Sequence, residues 1–126
     1  MTTRRTDQRL DPILQVALAA AIPIGSTIPT VAQGRPNRIV AIDDNGVQVE
    51  TERSLARTGG AELVPAWMLN TAWEHLRRFR SLTQRYLLDD LKVKRSAAVF
   101  AILARLDDAD LVTTKPTTLV LRHPHH

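Results

Sequence analysis

SLTQRYLLDDLKVKRSAAVFAILARL, residues 81–106, decides how the second half of the chain is built. Ser81-Leu82-Thr83 interrupts the helical pattern before it, and Thr83 can cap a short helix that carries Leu87, Leu88 and Leu91. Lys92-Val93-Lys94 is a tight connection, and a helix over 95–106 follows with Val99, Ile102, Leu103 and Leu106 as its inward stripe. That helix opens with Lys92, Lys94 and Arg95 at or before its start, although the backbone dipole favours negative charge there. Either an anion docks at this end or the charge is solvated.

Working outward, Pro65 begins a helix that runs to about Phe79, with Leu69, Ala72, Trp73, Leu76 and Phe79 spaced as one inward face. Downstream, two β-type runs at 111–115 and 117–122 are joined around Pro116. Upstream, RIVAIDDNGVQVET (38–51) reads as a hairpin, with Asn45-Gly46 supplying the positive φ angles of a tight turn. ERSLARTGGA, which follows it, reads as a loop that ends in the flexible pair Gly59-Gly60. Asp11-Pro12 starts the first helix, which runs to about Ile22 and is apolar on most sides, as a well-packed helix would be. Pro23, Gly25 and Pro29 end it and begin an irregular or extended segment.

The expected fold class is therefore α+β. A flexible tail (1–10) precedes a helix and β-hairpin lobe (11–60), which packs on a C-terminal helical unit (61–122), and a second tail (123–126) closes the chain. With 126 residues, 44 % apolar content and five aromatic residues, the core must rest on Leu, Ile, Val and Ala. The absence of cysteine excludes disulfides and thiolate metal sites and, with no convincing secretory cleavage site, points to a cytoplasmic protein. The longest apolar run, residues 16–24, is broken by Pro23 and too short to span a bilayer. A net charge of +4 and a pI near 10.3 lean towards a nucleic-acid partner.

Helix, short helix, tight turn, helix and two-stranded ribbon follow one another over 65–122, and in element order, element length and apolar phasing this stretch resembles a winged helix-turn-helix. The resemblance implies that the helix at 95–106 is a recognition helix that enters the major groove, and that the ribbon around Lys115-Pro116 is the wing. Phosphates would then supply the missing anion beside Lys92, Lys94 and Arg95, while Ser96 caps the helix or binds a phosphate. Ala97, Ala98 and Ala101 would let the helix axis approach DNA closely. The hairpin lobe followed by such a unit also looks, in general layout, like the DNA-reading head of a bacterial restriction-type endonuclease. A free-standing bacterial transcription regulator is equally compatible with it.

The charge pattern fits double-stranded DNA as the partner. Between Thr71 and Arg95 seven bases, including Arg77, Arg78, Arg80 and Arg85, face three acids. Asp107, Asp108 and Asp110 follow the last helix, at the end expected to point away from DNA. Arg35, Arg53 and Arg57 are candidate secondary contacts, the alternative being an ordinary polar connection. A protein-interaction or dimerisation module without nucleic acid is the competing reading, because the alanine face could pack a partner helix. Such a module would expose a sizeable apolar patch, around the alanines or the first helix.

Trp73 falls on the apolar stripe and reads as core, and Trp67 as packing between the two parts. His75 reads as a surface residue, and His123, His125 and His126 as a frayed tail. No Gly-rich phosphate loop, HExxH or paired-carboxylate pattern occurs, and Ser54 has no evident His or acid partner. The expectation is a binding protein without cofactor or metal; a homodimer, and fusion to or association with a nuclease, are both compatible with the sequence, which does not fix the oligomeric state.

Overall fold

The computed structural model describes residues 8–31, 34–112 and 117–122. The fold is mixed α+β, and its elements divide around two antiparallel sheets.

The first helix, α1 (Pro12–Ala21), starts where Asp11 Oδ1 accepts the N–H groups of Ile13 and Leu14. The Asp11 N–H in turn donates to Asn70 Oδ1 at 2.9 Å, which ties this start to the middle of the chain. Leu14, Leu18 and Ile22 are buried against the first sheet. The opposite side of α1 is exposed, so this helix is not packed on most sides as its composition suggested.

Strands β1 (Thr27–Pro29), β2 (Pro36–Asp43), β3 (Gly46–Glu50) and β4 (Glu62–Pro65) form a sheet in that spatial order. The β2–β3 hairpin is the one expected, but its turn differs. Asp43 pairs with Gly46, so the turn residues are Asp44 and Asn45, held by Asp43 Oδ1 accepting the Asn45 N–H. Asn45 does not adopt positive φ, whereas Gly46 has φ 135° for a different reason. A Cβ on Gly46 would lie 2.1 Å from the Val64 carbonyl oxygen of β4, so the residue is set by the neighbouring strand and not by the turn.

Residues 52–61, read as a loop, contain a helix, α2 (Glu52–Thr58). Thr51 Oγ1 accepts the Ser54 N–H and Ser54 Oγ accepts the Thr51 N–H, a reciprocal cap that closes the helix start. Gly59, at φ 77°, ends it in the left-handed conformation. Strand β4 then pairs with β3, so the first sheet continues past Gly60 to Pro65.

Helix α3 (Ala66–Phe79) buries Leu69, Ala72, Trp73 and Leu76 as their spacing requires. Phe79 departs from that face and is 57 % exposed, because the helix ends there and Arg80 turns the chain at φ 67°. Strand β5 (Ser81–Thr83) leads into α4 (Gln84–Asp89), which Thr83 Oγ1 caps by accepting the Tyr86 N–H. Helix α5 (Ser96–Leu103) is shorter than expected; residues 104–106 leave it as turns. Strands β6 (Ala109–Val112) and β7 (Thr118–Leu121) complete a second sheet of order β5-β7-β6. The ribbon begins two residues earlier than predicted, and its tip, including Lys115 and Pro116, lies outside the described residues, as do His123, His125 and His126.

One hydrophobic core runs through both halves, from Leu14, Leu18, Ile39 and Val49 to Trp73, Phe100, Ile102 and Leu119. Trp73 lies in it as expected, and Trp67 packs against it, partly buried. Among the described residues no helix is long and apolar enough to cross a membrane.

Candidate functional site

The two halves meet along α3, which packs on β3 and β4, and along α5, which packs on β1. Val99, Phe100, Ile102 and Leu103 face the core, and the outer face of the helix is not free either. β1 packs on it, and Ala101, at its centre, is 2 % exposed. The alanines thus permit a close approach by a strand of the same chain. Ala101 is withdrawn from any duplex, and Ala97 and Ala98 keep partial exposure at the helix start. Ser96 does not cap the helix: it lies one residue inside, buried, and Arg95 occupies the cap position without a side-chain cap bond.

Beside Ala97 and Ala98 lies an open groove of about 710 Å³, walled by the β1–β2 connection, the start of α2 and the turn into α5. Arg35, Arg53, Lys94 and Arg95 all line it, with Glu52 as the carboxylate among its lining residues. They arrive from three places: Arg35 from the β1–β2 connection, Arg53 from α2, and Lys94 and Arg95 from the turn into α5. Arg35 sits where the Thr30 N–H donates to the Arg35 carbonyl and Thr30 Oγ1 accepts the Arg35 N–H at 3.0 Å. Asn37 is buried below and donates through Nδ2 to the carbonyls of Ile28 and Arg35, which locks that bend. Arg53 stands in the first turn of α2, placed by the Thr51–Ser54 cap. Lys94 follows Val93, whose fully buried side chain and N–H bond to the Leu87 carbonyl anchor the connection.

Arg95 has a different task from Lys94. Its Nη1 donates to the Leu63 carbonyl at 2.9 Å and lies 3.5 Å from Glu62 Oε2. Arg57 approaches the other oxygen of Glu62 at 3.6 Å, outside the groove lining, so one carboxylate joins α2, β4 and the start of α5. Among the described residues, the side chains of Arg35, Arg53 and Lys94 have no such ion pair. Three cations lining one cleft, with Glu52 the carboxylate beside them but paired with none of them among the described residues, leave the cleft net positive and raise the local potential for an anion.

The remaining sequence candidates lie elsewhere. Lys92 is exposed at φ 59° on the approach to α5, two residues before Lys94. Arg77 lies over the Trp73 ring at 5.7 Å and Arg78 over the Phe79 ring at 5.4 Å. Arg80 donates to the carbonyls of Leu121 and Arg122, fastening α3 to β7, and Arg85 pairs with Asp89 one helical turn on. None of these four arginines lines the groove. His75 is half-buried, with the rings of Phe79 and Tyr86 at 4.6 and 4.9 Å, and desolvation by burial lowers its pKa below the ordinary histidine value.

Sequence reasoning did not single out Thr30, Asn37, Thr51 or Ala56 as groove residues. The spacing of Thr51 and Ser54 was a usable sign of a capped helix start. No family model, curated protein or solved structure matches the chain.

Proposed function

We propose that the chain binds double-stranded DNA, gripping one phosphate backbone in the groove of Arg35, Arg53 and Lys94, and serves as a regulator or as the reading module of a larger system such as one built around a nuclease. The observation that carries this reading is the convergence of those three cations, without ion pairs among the described residues, at the start of α5. The element order α3-β5-α4-α5-β6-β7, with sheet order β5-β7-β6, supports it as the order of a winged helix-turn-helix.

The mode of contact differs from insertion of a whole recognition helix, because β1 covers the centre of the outer face of α5. Only the start of α5 approaches the duplex, with Lys94 and Lys92 at the phosphates and Arg35 and Arg53 reaching from the opposite wall. Contacts of this kind position a protein on DNA; base reading falls to whatever reaches the groove edges beside them.

The test is fluorescence anisotropy of a labelled random-sequence duplex at several salt concentrations. Four phosphate contacts, from Lys92, Lys94, Arg35 and Arg53, give a slope of about −3.6 in log affinity against log salt. Arg53→Ala/Lys94→Ala should reduce that slope by roughly 1.8 and weaken binding in proportion. Absence of binding at low salt, or an unchanged slope in the double variant, overturns the reading.

A second reading, interaction between protein chains, draws on a separate observation, the bare apolar face of α1.

A further inference from the structure

Asn37 lines the groove although it is only 6 % exposed, and its Nδ2 donates to the carbonyls of Ile28 and Arg35 at 3.2 and 3.1 Å. Those carbonyls fix which way the amide faces, because the flipped amide would set oxygen against oxygen. Its Oδ1 accepts no hydrogen bond among the described residues and is not sealed off by protein, so it is open to the groove. A buried acceptor left open to a cleft is a place for a donor. Glu52, exposed in the same lining and outside any ion pair among the described residues, is a second acceptor.

A grip on phosphate alone has no use for these two groups, since both repel phosphate oxygens. With Arg35, Arg53 and Lys94 they make a site of two chemistries, cations for an anion and acceptors for N–H groups. Its size also exceeds what a phosphate needs. At about 710 Å³ it falls in the range of roughly 300–1,000 Å³ typical of sites that hold a whole small molecule. Pro36, Ala56, Ala97 and Ala98 add short apolar side chains to the lining, against which a flat ring can lie.

We infer that the groove takes in one unstacked nucleotide of the bound strand, of a kind whose base carries an exocyclic amine. The phosphate meets the cations, and the amine donates to Asn37 Oδ1 and Glu52. This rests on the DNA reading and adds to it what the strand presents. A stacked base cannot descend to a side chain as buried as Asn37, so the base leaves the helix to reach it. Adenine, cytosine and guanine each bring an amine, whereas thymine has none and offers carbonyl oxygens to two acceptors.

Extrusion is easiest for a base without a partner, so the test uses duplexes of one sequence that carry a single unpaired dA, dC, dG or dT, beside the fully paired duplex. In fluorescence anisotropy at least one of dA, dC and dG should tighten binding about tenfold over the paired duplex, and dT by less than about threefold. Glu52→Ala, at an exposed position, should abolish that preference while the salt slope on paired duplex stays unchanged. This variant carries the test because Asn37→Ala would also unlock the bend held by Nδ2. Salt-dependent binding of paired duplex with no gain from any unpaired base, an equal gain from dT, or a preference that survives Glu52→Ala overturns the inference and leaves the DNA reading standing. Full displacement of the strand by an equal concentration of the matching free deoxynucleoside monophosphate would give the site to a free nucleotide and overturn it too. Absence of binding to every duplex overturns both.

Discussion

Glu62 and Arg95 lie 3.5 Å apart where β4 of the first sheet meets the start of α5, and both are largely shielded from water. The pair joins the two halves beside the groove while Lys94, the preceding residue, remains exposed. Adjacent cations in the sequence KVKR thus divide into one that holds the fold and one that is available to an anion.

This division separates two phenotypes. Arg95→Ala removes the bond to the Leu63 carbonyl and leaves Glu62 to Arg57 alone, and should lower stability by about 1–3 kcal/mol. Lys94→Ala should change stability by less than about 0.5 kcal/mol and weaken duplex binding. Urea unfolding beside anisotropy on the same preparations checks both. Equal stability of the two variants would remove the structural role given to Arg95.

The reciprocal cap of α2 couples stability to the groove. Thr51→Ala should cost about 1 kcal/mol in thermal unfolding. Because the cap sets the first turn that carries Arg53, the same variant should weaken duplex binding in the folded protein at low temperature.

Gly46→Ala should be among the most destabilising single substitutions. The added methyl collides with the backbone of β4, 2.1 Å from the Val64 carbonyl and 2.9 Å from the Ala66 nitrogen, and cannot be relieved by a side-chain rotation. A loss on the order of 3 kcal/mol or more is expected, read as a drop in denaturation midpoint. Asn45→Ala, in the turn itself, should have a much smaller effect.

His75 makes stability depend on pH. Its folded-state pKa lies below 6.5 because burial disfavours the charged ring, so below pH 6.5 the unfolded chain binds the proton more readily. Stability should fall as pH drops from 6.5 towards the folded-state value, and rise again with pH through that window. His75→Gln should flatten this component of the profile, followed by chemical denaturation at a series of pH values.

Arg78→Ala and Arg85→Ala serve as the contrast to the groove residues. Both side chains are committed locally, to the Phe79 ring and to Asp89 respectively. Duplex affinity should change less than twofold in either variant, against the larger loss in Arg53→Ala/Lys94→Ala. A larger effect at Arg78 and Arg85 would move the contact surface to α3 and α4.

Local signals carried much of the architecture. Asp11-Pro12, Thr83 and the alternating residues of the β2–β3 hairpin act through neighbours within a few positions, so periodicity and capping chemistry marked them in the chain itself. The mixed α+β class and the buried stripe Leu69, Ala72, Trp73 and Leu76 follow from the same local rules. Tertiary structure decided what lies against each element. Strand β4 exists because β3 offers it an edge, Phe79 faces water because Arg80 reverses the chain, and Ala101 is covered because β1 folds back across α5 from some seventy residues away. The groove has the same origin: Arg35, Arg53 and Lys94 are far apart in sequence and share no periodicity, and only the packing of the first sheet and α2 beside α5 brings their charges together. Charge carries no record of its spatial neighbours along the chain, whereas apolar spacing records the face that must be buried.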